Sequence, residues 1–307
     1  MNPTSAISAL ERLGARALPG RLALHRTGTN GLSGYGDHGS YLRDKTLDTL
    51  RAHTDDFGLQ WTTLFDDYRH DRYTHLEQFM RLGIAPMQFA GATVLDAGMG
   101  LGRLSEILIG CADLVIGCDL SAAIETAARH IDNPRFIPVQ ASIANLPFAD
   151  ESIDFIFSWG VVHHCPDPVA ALDDLWRVLK PGGTMAIWVY ADTEGHRRRS
   201  YINWHLKDFT SEEMLNISGT LADLAHVLQL TSLVVAAMLK TELRVSARNS
   251  KQYTRHLLFD GLGPDFHHLI TPEAFKTWAL AHGTEALFSS GTPLGVTFTK
   301  AASRPLA

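Results

Sequence analysis

Cysteine is scarce in this chain of 307 residues: Cys111, Cys118 and Cys165 are too few, and odd in number, to build a disulfide framework. A reducing compartment, the cytoplasm, is therefore the expected location. Surplus charge is small as well, since 27 Lys and Arg stand against 33 Asp and Glu, a formal net charge of -6. With no general attraction to phosphate backbones, nucleic acid is not expected as a partner. Long apolar runs are missing too. The best, residues 221–239, is interrupted by Asp223, His226 and Gln229, so it reads as a buried helix and no membrane association is expected. The first thirty residues carry Glu11, Arg12, Arg16 and Arg21 among short apolar stretches, without the pattern of an export signal. What is present is core material. At 45% hydrophobic, 9% aromatic and 20% charged, the composition excludes disorder, and the length suggests two folding units or one core with large additions.

Texture divides the chain. Residues 1–45 are rich in Gly, Ser and Thr and read as loops after a short helix near Ala6 to Ala15. Residues 45–82 turn aromatic, with Phe57, Trp61, Phe65, Tyr68, Tyr73 and Phe79 recurring at spacings near three or four, as in helices laid over a core. From Ala92 to Tyr190, short apolar strands (TVLDA, LVIGCD, RFIPVQ, IDFIFSW, TMAIWVY) alternate with amphipathic segments, which predicts a parallel, doubly wound α/β sheet. One helix is marked at both ends, with Asp167 placed to cap it, Pro168 in its first turn and Pro181-Gly182-Gly183 stopping it after Lys180. Beyond residue 191 the alternation fails in a helical insertion. Thr271 then caps a further helix, and TEALFSS and GVTFTK read as closing strands.

In VLDAGMGLGR, residues 94–103, a strand runs into Gly98, Gly100 and Gly102 and then into a helix, and glycines there admit a ligand close to the backbone. A G-x-G-x-x-G site needs glycine where Arg103 stands, and a phosphate loop needs Gly-Lys-Ser/Thr where Leu-Gly-Arg stands, so both spacings count against those ligands. Asp119 ends the next strand at the distance where a carboxylate takes both hydroxyls of a ribose. Asp96 beside the loop would repel a pyrophosphate but suits a cation, so a sulfonium amino acid fits better than a dinucleotide.

These blocks, with QASIANLPFADESIDFIFSWGVVHHCPDP and LWRVLKPGGTMAIWVY, make the chain resemble a class I S-adenosylmethionine-dependent methyltransferase of the methyltransferase-11 type. FGLQWTTLF and FDGLGPDFHHLITPEAFKTW are similar to the lead-in and the return of one branch with a helical insertion. The resemblance implies a Rossmann-like seven-stranded sheet, N-terminal loops and a helical lid (1–75), a cofactor-binding core (76–190 and 263–307) and a helical substrate cap inserted after the fifth strand (191–262).

It also implies roles. Gly98, Gly100 and Gly102 would pass under the methionine part of S-adenosyl-L-methionine, Asp96 would reach its ammonium, and Asp119 would take the ribose, unless it caps the following helix. Leu120 and Ile143 would border the adenine, with Ser142 where relatives place an Asp, a neutral hydrogen-bond acceptor in place of a charged one. Ser158 and Trp159 would face the sulfonium, with packing the alternative for Trp159. His163 and His164 are candidates for proton transfer or for packing, and with Cys165 they make no plausible metal site, so no metal is expected. Arg103 would pair with the cofactor carboxylate or with a neighbouring acid, and Gln60 and Trp61 belong to the lid. Tyr201, Trp204, His205, Tyr253, His256, His267 and His268 lie where an acceptor pocket would be built.

The expected activity is methyl transfer to a small-molecule acceptor. An alternative keeps the cofactor and changes the chemistry, for example cyclisation of the aminobutyryl chain with release of methylthioadenosine. A third reading is a non-catalytic binding scaffold, and a homodimer through the insertion is compatible with each.

Overall fold

The computed structural model describes residues 3–12, 14–18, 21–26, 40–44, 46–47, 72–231, 251–262 and 266–302. Among them, one sheet holds β1 (Leu22–Arg26), β2 (Ser40–Asp44), β3 (Thr93–Ala97), β4 (Leu114–Asp119), β5 (Phe136–Gln140), β6 (Ile153–Trp159), β7 (Leu179–Trp188), β8 (Leu287–Ser289) and β9 (Gly295–Thr299). Their order is β1-β2-β5-β4-β3-β6-β7-β9-β8. Strands β2 to β7 pair in parallel, while β1, β9 and β8 pair antiparallel at the flanks. The seven strands from β3 onward form the expected doubly wound sheet. Because β4 lies on one side of β3 and β6 on the other, the winding reverses at β3, and the carboxyl ends there open the crevice in which such sheets hold ligands.

All five residues of β3 are buried, and alternate side chains serve two cores. Leu95, Ile116 and Ile137 meet Leu10 of α1 (Pro3–Arg12), Leu175 of α5 (Pro168–Val178) and Trp278 of α9 (Pro272–Ala281). Val94, Val115 and Phe136 meet Phe79 of α2 (Arg72–Arg81), Leu108 of α3 (Arg103–Ile109) and Ala127 of α4 (Ala123–His130). Each fully buried Leu or Phe in these layers contributes roughly 1.5–3 kcal/mol. Between β7 and α9 lie α6 (Glu194–Leu206), α7 (Ser211–Thr231) and α8 (Lys251–Leu262).

Three expectations need correction. The N-terminal residues expected as loops hold β1 and β2, and Leu22 and Leu42 are buried as β2 extends the sheet beyond β5. Asp167 caps α5 through bonds from the backbone N–H groups of Val169 and Ala170, but α5 ends at Val178 and Pro181-Gly182-Gly183 lies inside β7. A register irregularity between Ile153 and Phe155, and Gly182 at a φ of +82°, let the strand absorb those residues. Of the run 221–239, read as a buried helix or a subunit interface, residues 221–231 belong to α7, where Ala222 and Ala225 are buried but Leu224 and Val227 are exposed, and residues 232–239 lie outside the described residues. No helix among the described residues is long and apolar enough to cross a membrane.

Candidate functional site

The glycine turn hangs on the carboxyl end of β4. Gly98 and Met99 donate their N–H groups to the Cys118 carbonyl at 2.8 and 3.0 Å, and Gly102 donates to the Met99 carbonyl at 3.0 Å. Gly98, Gly100 and Gly102 all have positive φ, at 82°, 54° and 78°, a region that side-chain-bearing residues rarely adopt. Beside them, Asp119 Oδ2 accepts the Gly100 N–H at 2.7 Å. Its Oδ1 accepts the Ser121 N–H at 2.9 Å and the Ser121 hydroxyl at 2.7 Å. Ser121 Oγ in turn accepts the Ala123 N–H at 3.3 Å, so the helix start is tied to the carboxylate through the serine. Burial raises the Asp119 pKa, against the pull of these donors.

Asp96 is buried on the other side of the turn, where its Oδ2 accepts the Ser105 hydroxyl at 2.6 Å. Burial lifts its pKa to about 6, although that hydrogen bond and the positive charge of Arg103 both act to lower it.

A relay runs behind Leu120. Its carbonyl accepts from Gln140 Nε2 at 3.1 Å, and Gln140 Oε1 accepts from Arg43 Nε on β2 at 3.1 Å. Arg21 holds the same region from outside, pairing with buried Asp44 at 2.7 Å and donating to the carbonyls of Asn145 and Leu146. Ser142 Oγ accepts the Ala144 N–H at 3.3 Å, and Ile143 packs into the main core. Gln140, Arg43 and Arg21 were invisible as site residues in the sequence, because Gln140 is tied to the loop by a partner, Arg43, that only the added strand β2 brings there.

Ser158 does not face the crevice: it is buried and donates to the Ala97 carbonyl at 3.0 Å. One face of Trp159 is covered by Trp188, with ring centroids 4.7 Å apart and planes 16° from parallel, which favours its packing role. His164 Nδ1 lies 2.8 Å from the Phe266 carbonyl, so it carries the proton and serves structure. His163 differs, being fully buried with neither ring nitrogen bonded to any group among the described residues. Burial and the surrounding imidazoles hold it neutral, far below the usual histidine range. Gln60 and Trp61 lie outside the described residues. Among the described residues no group of three or more His, Cys, Asp or Glu side chains is arranged to hold a metal ion.

Residues 95–187, from β3 to β7, match the family model described as a methyltransferase domain. Over that stretch the chain is similar to methyltransferase domains. The chain is 27% identical over 146 residues to cycloartenol-C-24-methyltransferase 1 of Oryza sativa, covering 46% of this chain and 40% of that protein. It is 33% identical over 125 residues to the malonyl-[acyl-carrier protein] O-methyltransferase of Pectobacterium atrosepticum, covering 40% and 49%. A solved S-adenosylmethionine-dependent methyltransferase from Aquifex aeolicus aligns at 23% identity with a TM-score of 0.38, over 44% of this chain and 73% of that one. The chain spans half or less of the length of the curated relatives it matches.

Proposed function

We propose that the protein transfers a methyl group from S-adenosylmethionine to a small-molecule acceptor. The observation that supports this best is the placement of a positive-φ glycine turn between two carboxylates, Asp96 and Asp119, at the point where the sheet reverses its winding. The cofactor supplies a methyl group already activated on a sulfonium. Asp119 Oδ2, with one protein donor, retains capacity to accept from the ribose. Asp96 would hold the ammonium, and the turn would support the methionine chain. Holding acceptor and methyl carbon in line is the main task left to the chain, and such alignment lowers barriers by about 7–11 kcal/mol in favourable cases. Of the two histidines on this turn, His163 keeps both ring nitrogens unbonded among the described residues and, being held neutral, offers a weakly basic lone pair, whereas His164 is engaged with Phe266.

A small molecule suits a net charge of -6 and a chain that inserts three helices between β7 and α9. Incubation with S-adenosylmethionine and a cell extract of small molecules, read by mass spectrometry, is the test. Adenosylhomocysteine together with one metabolite heavier by a methyl group is the expected result. Methylthioadenosine formed without extract would refute the reading.

Asp96 makes the site sensitive to pH in two directions. Its folded pKa of about 6 lies above the ordinary 3.8, so the folded protein holds this proton more tightly than the unfolded chain. The resulting stabilisation is present below about pH 3.8 and is lost as pH rises through 6, a change of roughly 3 kcal/mol. Cofactor binding has the opposite sign, because the ammonium needs the carboxylate ionised. Titration calorimetry with adenosylhomocysteine should show affinity falling by up to about tenfold per unit as pH drops below 6. An affinity flat from pH 5 to 7.5 would remove Asp96 from that role.

The Arg43–Gln140–Leu120 relay gives a second expectation. Arg43→Ala removes one hydrogen bond behind the adenosine side and should weaken adenosylhomocysteine binding about 3- to 10-fold. Binding of methylthioadenosine, which keeps the nucleoside, should weaken by the same factor. A change confined to adenosylhomocysteine would place Arg43 elsewhere.

A further inference from the structure

Bare imidazole nitrogens collect at one place. His163 lies on the turn after β6, and neither of its nitrogens, nor Nε2 of His267 or Nε2 of His268, has a hydrogen-bond partner among the described residues, although all are buried. His267 Nδ1 is 2.8 Å from the Ser200 hydroxyl on α6, and the His268 N–H donates to the His163 carbonyl at 2.9 Å. The ring of His163 is 4.0 Å from those of His164 and Tyr190, 6.2 Å from Trp188 and 6.4 Å from His267. Four buried nitrogens without partners cost about 1–3 kcal/mol each, a price a protein offsets by binding something polar there. The cluster also adjoins the glycine turn. Val161, two residues before His163, is so close to Gly98 that a Cβ on that glycine would overlap its side chain.

We propose that His163, His267 and His268 line an acceptor subsite for an uncharged hydroxyl, that of an alcohol or phenol, and that His163 takes its proton. This rests on the methyl-transfer reading above. A neutral imidazole offers an N–H on one edge and a lone pair on the other, and a hydroxyl between two such rings can donate to the lone pair of one and accept the N–H of its neighbour. The charge balance of the surroundings agrees. Around His163 are His164 on its own turn, Tyr190 after β7, His196 on α6, and His267 and His268, while Asp260 on α8 and Arg199 on α6 act on the neighbouring His267. Asp260 already accepts the Tyr190 hydroxyl at 2.8 Å, and Arg199 opposes it in sign, so no net charge among the described residues awaits an ammonium or a carboxylate. Tyr190, Trp188 and Phe266 supply rings against which an apolar or aromatic body can pack.

In the step, an oxygen lone pair forms the bond to the methyl carbon as the carbon–sulfur bond breaks. That bond's electron pair stays on sulfur as a thioether, and the hydroxyl proton passes to His163. A weak base suffices, because the oxygen becomes strongly acidic as it gains the methyl group.

The test uses the full chain, S-adenosylmethionine carrying a carbon-13 methyl group, and a small-molecule extract, with the carbon-13 shift of the product naming the atom methylated. A methyl group on oxygen is expected. Label on nitrogen, sulfur or carbon overturns this inference and leaves the methyltransferase reading standing; no transfer at all, with adenosylhomocysteine still bound, overturns both. His163→Gln should lower kcat about 100- to 10,000-fold with the KM for S-adenosylmethionine unchanged, and added imidazole should restore part of it. His267→Gln, a milder change, should raise acceptor KM more than it lowers kcat. Unchanged kinetics in a folded His163→Gln variant would overturn the assignment of the proton.

Discussion

Replacing Asp119 by alanine will weaken adenosylhomocysteine binding by at least roughly 100-fold, the loss expected when two hydrogen bonds to a charged acceptor go. The carboxylate has three protein donors to satisfy as well, at Gly100 and Ser121. Alanine leaves the Gly100 N–H unpaired, so the turn loses its shape along with its ligand contact. A subtler probe is Asp119→Asn, which keeps one acceptor oxygen but turns an NH2 group toward either Gly100 or Ser121, donor against donor. Its effect should lie between wild type and Asp119→Ala. Titration calorimetry measures the affinities, and a thermal melt separates folding from binding. The melt should fall by only about 2–10 °C, as one or two lost backbone contacts require in a chain of this size. Affinity within threefold of wild type in a folded Asp119→Ala protein would remove the ribose role.

The strands that carry this site were legible because parallel strands covered on both faces must be written almost entirely in apolar residues. TVLDA and IDFIFSW coincide with β3 and β6 residue for residue. Capping was legible for the same local reason: Asp167 and Thr271 each accept from the first turn of the helix they precede. What depends on distant partners was not. LALHR and SYLRD are ordinary five-residue stretches in a Gly, Ser and Thr background, and only the free edge of β5 makes a strand of SYLRD. Pro181-Gly182-Gly183 reads as a stop, yet the register slip opposite Phe155 carries β7 through it. The histidine cluster was half visible. His163, His164, His267 and His268 stood out as candidates, but Tyr190 and His196, whose rings stack 4.7 Å apart at its edge, gave no signal in the sequence.

Gly98→Ala will lower the melting temperature by about 5–15 °C and weaken the cofactor site with it. From the sequence, glycine here admits a ligand; the structure adds a demand from the protein itself. A Cβ at Gly98 would overlap Cγ2 of Val161 and lie 2.5 and 2.8 Å from its Cγ1 and Cβ, and the φ of +82° strains any side chain. The backbone term is about 1–2 kcal/mol and the overpacking about 1–3 kcal/mol. At roughly 2–4 °C per kcal/mol for a chain of this size, the sum corresponds to about 4–20 °C, and the stated range is the middle of it. The two terms separate in a double variant. Val161→Ala removes the two nearest carbons and leaves one at 2.8 Å, so Gly98→Ala combined with Val161→Ala should recover part of the loss and not all of it. Thermal melts of the four proteins in the cycle measure the coupling. Strict additivity would show that Val161 yields freely and that strain alone sets the cost. A positive coupling would mean that the glycine turn proposed to hold the cofactor and the turn carrying His163 are packed as one unit, because the Val161 carbonyl accepts the His164 N–H at 2.8 Å. Displacing Val161 would then shift the proposed base relative to the methyl group, and activity should fall further than affinity.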